Sequence, residues 1–252
     1  MNVNHISQFL HGEQGALIAT AQLVSAVPDT DAKFYAATQV MDEARHVEVF
    51  ERYLREKVGR SYEITQNLFT LLQAITIESR WDFKFLGMQL LVEGLALTAF
   101  MSMLTRCRDP LLKQLLRLVM KDEARHVAYG VLSLRNFYRE MNEKERRERQ
   151  EFVFEAVSLM RDRLFSSKFY EKIGFKKEEV GDYLRRSPAT KDFRNQLFIN
   201  VVPNIKKTGL LDGFLKEKFA EIGILQYEDV DSEKLLNGFI FGGENAPKEG
   251  AA

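Results

Sequence analysis

Cysteine is nearly missing from this chain: Cys107 is the single one among 252 residues. A lone thiol excludes an internal disulfide and a cysteine-rich metal site, and a buried apolar role is the expectation for it. Proline and glycine are sparse, at five and 15 residues. The breaks they make fall where helices should end, so the chain reads as helical nearly throughout. Neither sign of charge dominates. The 36 Lys and Arg balance the 36 Asp and Glu, so no global field points to nucleic acid or an anionic membrane. The opening MNVNHISQFLHGEQ has no basic stretch leading into an apolar one, so it does not read as a secretion signal, and a cytoplasmic location is the expectation. Only one long apolar run exists, Leu86 to Thr105, and Glu93 stands near its centre. An acidic residue at the middle of a membrane helix costs about 2.5–3.5 kcal/mol. A central helix of a soluble bundle suits these residues better, so no membrane span is expected.

What is present is enough apolar residue, 45% of the chain, to bury a large core. The first helix is expected from about His5 to Val27, ending at Pro28. Asp29-Thr30-Asp31 supplies caps for a second helix that reaches Val58 before Gly59. A shorter helix, Ile64 to Glu78, bridges to a third long helix from Trp81 to Cys107. Asp109-Pro110 then starts a fourth, running to about Met141. The expected organisation is a bundle over residues 1–141, accessory helices over 142–241 and a disordered tail over 242–252. Among the accessory segments, Phe152 to Phe169 looks amphipathic, and Ala189 to Ile222 looks helical with an interruption at Pro203.

One hexapeptide occurs twice. Asp42-Glu43-Ala44-Arg45-His46-Val47 returns as Asp122-Glu123-Ala124-Arg125-His126-Val127, 80 residues later. Each copy holds Glu-x-x-His, a spacing that puts a carboxylate and an imidazole on one helix face. Thirty residues before each ligand Glu stands another, Glu13 and Glu93, in matching contexts. The helical neighbours of all four glutamates are mainly apolar: Phe9, Leu10, Ala16 and Leu17 around Glu13, and Val119, Met120 and Val127 around Glu123. Such faces point into a core. Four carboxylates cannot stay ionised together there without compensation, and two divalent cations would cancel them. Carboxylate oxygens with imidazole nitrogens suit iron or manganese. An isolated Glu-x-x-His is more often a surface ion pair. Two copies with matching upstream glutamates on apolar faces favour Glu13, Glu43, His46, Glu93, Glu123 and His126 as metal ligands. Metal-bound histidines usually donate their second N–H to a carboxylate. Asp42 and Asp122 are the candidate acceptors, across the repeat, with Arg45 and Arg125 balancing their charge. His11 lies on another face than Glu13, and it and His5 are assigned surface or helix-start roles.

This pattern resembles the ferritin-like superfamily of carboxylate-bridged di-metal proteins, all-α four-helix bundles with one long crossover. The Asp-Glu-x-Arg-His form resembles its oxygen-activating branch: bacterial multicomponent monooxygenase hydroxylases, ribonucleotide reductase small subunits, acyl-carrier-protein desaturases and R2-like ligand-binding oxidases. Gly12-Glu13-Gln14-Gly15-Ala16 is similar to the first-helix ligand segment of the monooxygenases. The resemblance covers about residues 5–140. Several positions depart from it. Phe50 stands where reductase small subunits carry a radical tyrosine. Ala16 and Met88 stand where R2-like oxidases form a Val–Tyr crosslink. Val119 stands where the arylamine N-oxygenases add a third histidine. Bacterioferritin and rubrerythrin share the ligand types but are smaller bundles.

The resemblance implies two iron ions, with a manganese–iron pair compatible, and O2 as cosubstrate. It implies oxidation of a C–H or N–H bond of a bound organic molecule. Ala16, Leu17, Phe50, Leu90 and Leu97, one turn from the ligands, are the candidate substrate-pocket residues, and their character suggests a small hydrophobic substrate. No flavin or iron–sulfur motif is present, so a separate electron-donor protein is expected, and a homodimer is compatible. The alternative is ferroxidase, iron-handling or peroxide-scavenging activity, which needs no cavity beside the metals. A helical interaction module that keeps a structural metal site ranks third. Glu13 comes early in the first helix, which leaves room for a further N-terminal segment over the site.

Overall fold

A computed structural model describes residues 3–163 and 187–241, with the isolated positions 174, 176 and 183. Helices form where the sequence caps them. Helix α1 spans Val3–Ala26 and ends before Pro28. Helix α2 begins at Thr30 under the Asp29 side chain, which accepts from Ala32 N. It runs α-helically to Arg52, then widens into a π turn, Tyr53–Val58, closed by Gly59 at φ 72. Only a residue free of a Cβ takes that left-handed conformation at little cost. Helix α3, Gln66–Ile77, is the crossover. Helix α4 covers Trp81–Arg106 without a break. Helix α5, Pro110–Arg139, starts under Asp109 with Pro110 in its first turn.

Helices α1 and α2 form one hairpin and α4 and α5 the other, and α2 meets α5 between them. Among the described residues there is no strand, so the expected all-α, ferritin-like bundle is the architecture observed. The crossover α3 lies on α1. Gly15 makes this possible, since a Cβ there would stand 2.6 Å from a Leu72 methyl. The chain entering α3 is tied to α1 by polar groups. Tyr62 N donates to Ser7 Oγ and Thr65 N to Gln8 Oε1. The last carbonyls of α3 are held by the buried Lys84 ammonium, which donates to Ile75 O and Thr76 O.

The apolar run in α4 contains a second π turn, Leu86–Val92, which ends with Glu93 N–H reaching back five residues to Met88 O. Six consecutive residues, Leu86 to Leu91, are buried there. Helix α4 is long and apolar enough to cross a membrane, but it is largely buried within the bundle, as a central core helix should be.

Beyond the bundle, α6 spans Glu143–Arg163 and packs on the π turn of α4. Its Arg149 forms a buried ion pair with Asp82 of α4, at 2.9 Å. Helices α7 (Pro188–Gln196), α8 (Val201–Thr208), α9 (Gly213–Glu221) and α10 (Ser232–Phe241) follow. Two expectations need correction. Pro203 does not interrupt a helix: it sits in the first turn of α8, where a missing N–H leaves no bond unmade, and the breaks fall at 197–200 and at Gly209, φ 84. Cys107 is half-buried rather than buried, because it ends α4. The end of the expected Phe152–Phe169 segment and the expected tail, 242–252, lie outside the described residues.

Candidate metal centre

Four helices each send candidate ligands inward: Glu13 from α1, Glu43 and His46 from α2, Glu93 from α4, and Glu123 and His126 from α5. None is more than 6% exposed. They form two overlapping clusters, Glu13, Glu43, His46, Glu123 and Glu43, Glu93, Glu123, His126. Within each cluster one donor atom per residue lies within 4.8 Å of the others. Glu43 and Glu123 belong to both, so they stand between two positions, with Glu13 and His46 at one end and Glu93 and His126 at the other.

The imidazoles fix the orientation of the site. His46 Nδ1 faces inward, 2.9 Å from Glu123 and 3.3 Å from Glu13. His126 Nδ1 lies 3.2 Å from Glu43. The outward nitrogens cross the repeat: His46 Nε2 meets Asp122 Oδ2 at 3.3 Å and His126 Nε2 meets Asp42 Oδ2 at 3.2 Å. Arg125 donates to Asp122 at 2.7 Å and to Asp42 at 3.3 Å, and Arg45 pairs with Asp42. The Asp–His contacts thus cross between repeats, while Arg45–Asp42 and the shorter Arg125–Asp122 pair lie within one repeat. An acceptor on Nε2 holds the proton there and leaves Nδ1 free to bind a cation.

The electrostatics show what the cluster lacks. Burial pushes Glu13 up to about 8, and the Glu123 carboxylate adds to the effect. Burial, again joined by Glu123, raises Glu93 well above the usual carboxylate range. Burial would also raise Glu43, but the adjacent imidazoles of His126 and His46 outweigh it and bring it down to about 2. Burial would lower His126, yet Glu123 and Glu43 drive it up to about 12. His46 is likewise raised against its burial, by Asp122, Glu123, Glu13 and Glu43. Several atoms of the cluster remain unsatisfied. Glu43 Oε2, Glu93 Oε2, both Glu123 oxygens and His126 Nδ1 are buried without a hydrogen-bond partner. Buried polar atoms are seldom left this way. Oxygen and nitrogen donors turned onto a common space fit two divalent cations.

A cavity of about 290 Å³ opens against this cluster, and Glu13, Glu93 and Glu123 form part of its wall. The rest is largely apolar, including Phe9, Ala16, Leu68, Leu71, Ala99 and Phe100. Of the five residues expected to line a pocket, Ala16 does so. Leu17, Phe50, Leu90 and Leu97 do not. Phe50, Leu90 and Leu97 are fully buried in the helix seams, and Leu17 is half-buried on another side of α1. Phe50 backs the wall instead, against Phe9 at 5.9 Å and Phe100 at 6.0 Å. The lining that sequence reasoning missed comes mainly from α1 and α4, with smaller parts from α3 and α6. Phe9, one turn before Glu13, and Ala96, one turn after Glu93, are lining residues that helical spacing could have revealed. His5 also reaches the cavity, while His11 bonds Tyr62 O and Gln14.

Residues 17–209, well over half the chain, match the family model described as P-aminobenzoate N-oxygenase AurF. No curated protein matches the chain. Val119 therefore removes one imidazole from the set expected for an arylamine N-oxygenase without removing the chain from that family.

Proposed function

Because the chain belongs to the p-aminobenzoate N-oxygenase AurF family, and so to the oxygenases, we propose that it uses two iron ions to oxidise a small, largely apolar organic molecule with O2. A manganese–iron pair suits the same donors. An aromatic amine is the leading substrate class, taken from the family's name and from the aromatic, apolar cavity wall. Bound between the glutamates, the metal pair supplies the activation of O2. The overall change is that an amine, O2, two electrons and two protons give a hydroxylamine and water. The electrons come from a separate redox protein.

The chain's own residues do the rest. Glu43 and Glu123, common to both positions, would hold the two metals together with Glu13 and His46 on one side and Glu93 and His126 on the other. Asp122 and Asp42 hold the Nε2 protons of the histidines and so keep Nδ1 available. Phe9, Phe100, Leu68 and Leu71 exclude water and direct the reacting nitrogen toward the wall formed by Glu13, Glu93 and Glu123. The observation that carries this reading is the meeting of unsatisfied buried ligand atoms with an apolar cavity. A purely iron-handling protein needs the first and not the second. The test is O2 uptake by the reduced, iron-loaded protein with and without arylamines, with product analysis by mass spectrometry. Arylamine-dependent uptake and an N-hydroxylated product are expected. Iron oxidation that no organic compound alters would instead indicate ferroxidase activity.

A further inference from the structure

The repeat also marks where its two halves differ. Gln39 stands one turn before Glu43, and the residue 80 positions on, one turn before Glu123, is Val119. Val119 is 3% exposed and apolar, while Gln39 is a fully buried amide. Gln39 Nε2 donates to Glu43 Oε1 and to Glu93 Oε1, both at 3.0 Å. Carboxylate oxygens accept, so the nitrogen end of the amide must face them. Gln39 Oε1 has no partner. One neutral side chain thus joins a glutamate shared by both metal positions to the glutamate at one end only. At the other end an apolar side chain takes its place in the repeat.

We propose that Gln39 is a positioning residue that presets Glu43 and Glu93, so that the position of Glu93 and His126 binds its metal more tightly than the position of Glu13 and His46. The warrant is preorganisation: donors already held at the right place lose less freedom when the cation binds. A neutral amide does this without cancelling the carboxylate charge the cation needs. The inference rests on the two-metal reading of the site.

Anaerobic titration of metal-free protein with Mn²⁺, with free and bound metal followed by electron paramagnetic resonance, tests it. Wild-type protein should fill in two steps. Gln39→Met keeps the chain length and removes both donated bonds. It should weaken the first step about 10–100-fold, the range seen when hydrogen-bond partners of metal ligands are lost, and leave the second unchanged. Gln39→Leu serves if circular dichroism shows the methionine variant unfolded. A merely structural role for Gln39 would lower the melting temperature and leave the two steps as they were, which overturns the proposal. So would two equal steps in the wild type, or equal weakening of both in the variant. Wild-type protein that binds no Mn²⁺ overturns the two-metal reading, and this proposal with it.

Discussion

Asp42 and Asp122 each touch the histidine of the opposite repeat, so each half of the site is oriented by the other. Asp122→Asn should weaken metal binding about 10–100-fold, as loss of a carboxylate behind a ligand histidine does elsewhere. Competition with a chelator of known affinity measures it. Ala99 lines the cavity and carries no ligand. Ala99→Phe should therefore lower kcat/KM for the organic substrate at least about tenfold, roughly 1.4 kcal/mol of transition-state stabilisation. Iron content should stay at the wild-type value, and metal analysis beside steady-state kinetics separates the two effects. At this scale the gathering of the six candidate ligands into one buried cluster was legible in the sequence. Glu-x-x-His is a one-turn spacing, the second copy removed the surface-pair reading, and the apolar neighbours gave the direction. Gln39 was legible only as a neighbour of Glu43. Its bond to Glu93 joins two helices, and helical spacing carries no such information.

Among the helices, the crossover α3 depends on a few buried polar contacts. Lys84 Nζ binds Gln22 Oε1 at 2.7 Å, Ile75 O at 2.9 Å and Thr76 O at 3.1 Å. Lys84→Ala would strand two carbonyls at the end of α3 and should cost about 1–3 kcal/mol per buried group left unsatisfied. Urea denaturation should show the midpoint fall with the slope unchanged. Close packing of α5 on α4 gives a second check. A Cβ on Gly130 would stand 2.7 Å from Gln89 Cβ, so Gly130→Ala should destabilise by about 1–3 kcal/mol through overpacking. The caps, Asp29, Gly59 and Asp109, were readable because each acts within its own turn. The pocket was not. Phe50, Leu90 and Leu97 lie one turn from ligands, as the spacing required, but whether a core side chain meets a neighbour or a void is decided by where α3 and α6 come to rest.

For the whole molecule, the proposed two-metal site implies that the metal-free protein is the less stable form. Metal that binds only the folded state adds RT ln(1 + [L]/Kd), about 4 kcal/mol at a thousandfold excess over Kd. Chelation should therefore lower the melting temperature, and iron or manganese should restore it. The buried Asp82–Arg149 pair, at 2.9 Å, joins the bundle to accessory helix α6. Asp82→Ala removes one buried partner while Glu148, at 2.9 Å, still pairs with Arg149, so the loss should be about 1–3 kcal/mol. The central claim, a two-metal oxygenase, is tested most directly by metal analysis after anaerobic iron loading of wild-type, Glu43→Ala and His126→Ala proteins. Two iron ions per chain in the wild type, and clearly fewer in each variant, is the result predicted. Fewer than one equivalent in the wild type, or variants that load like it, would contradict the account.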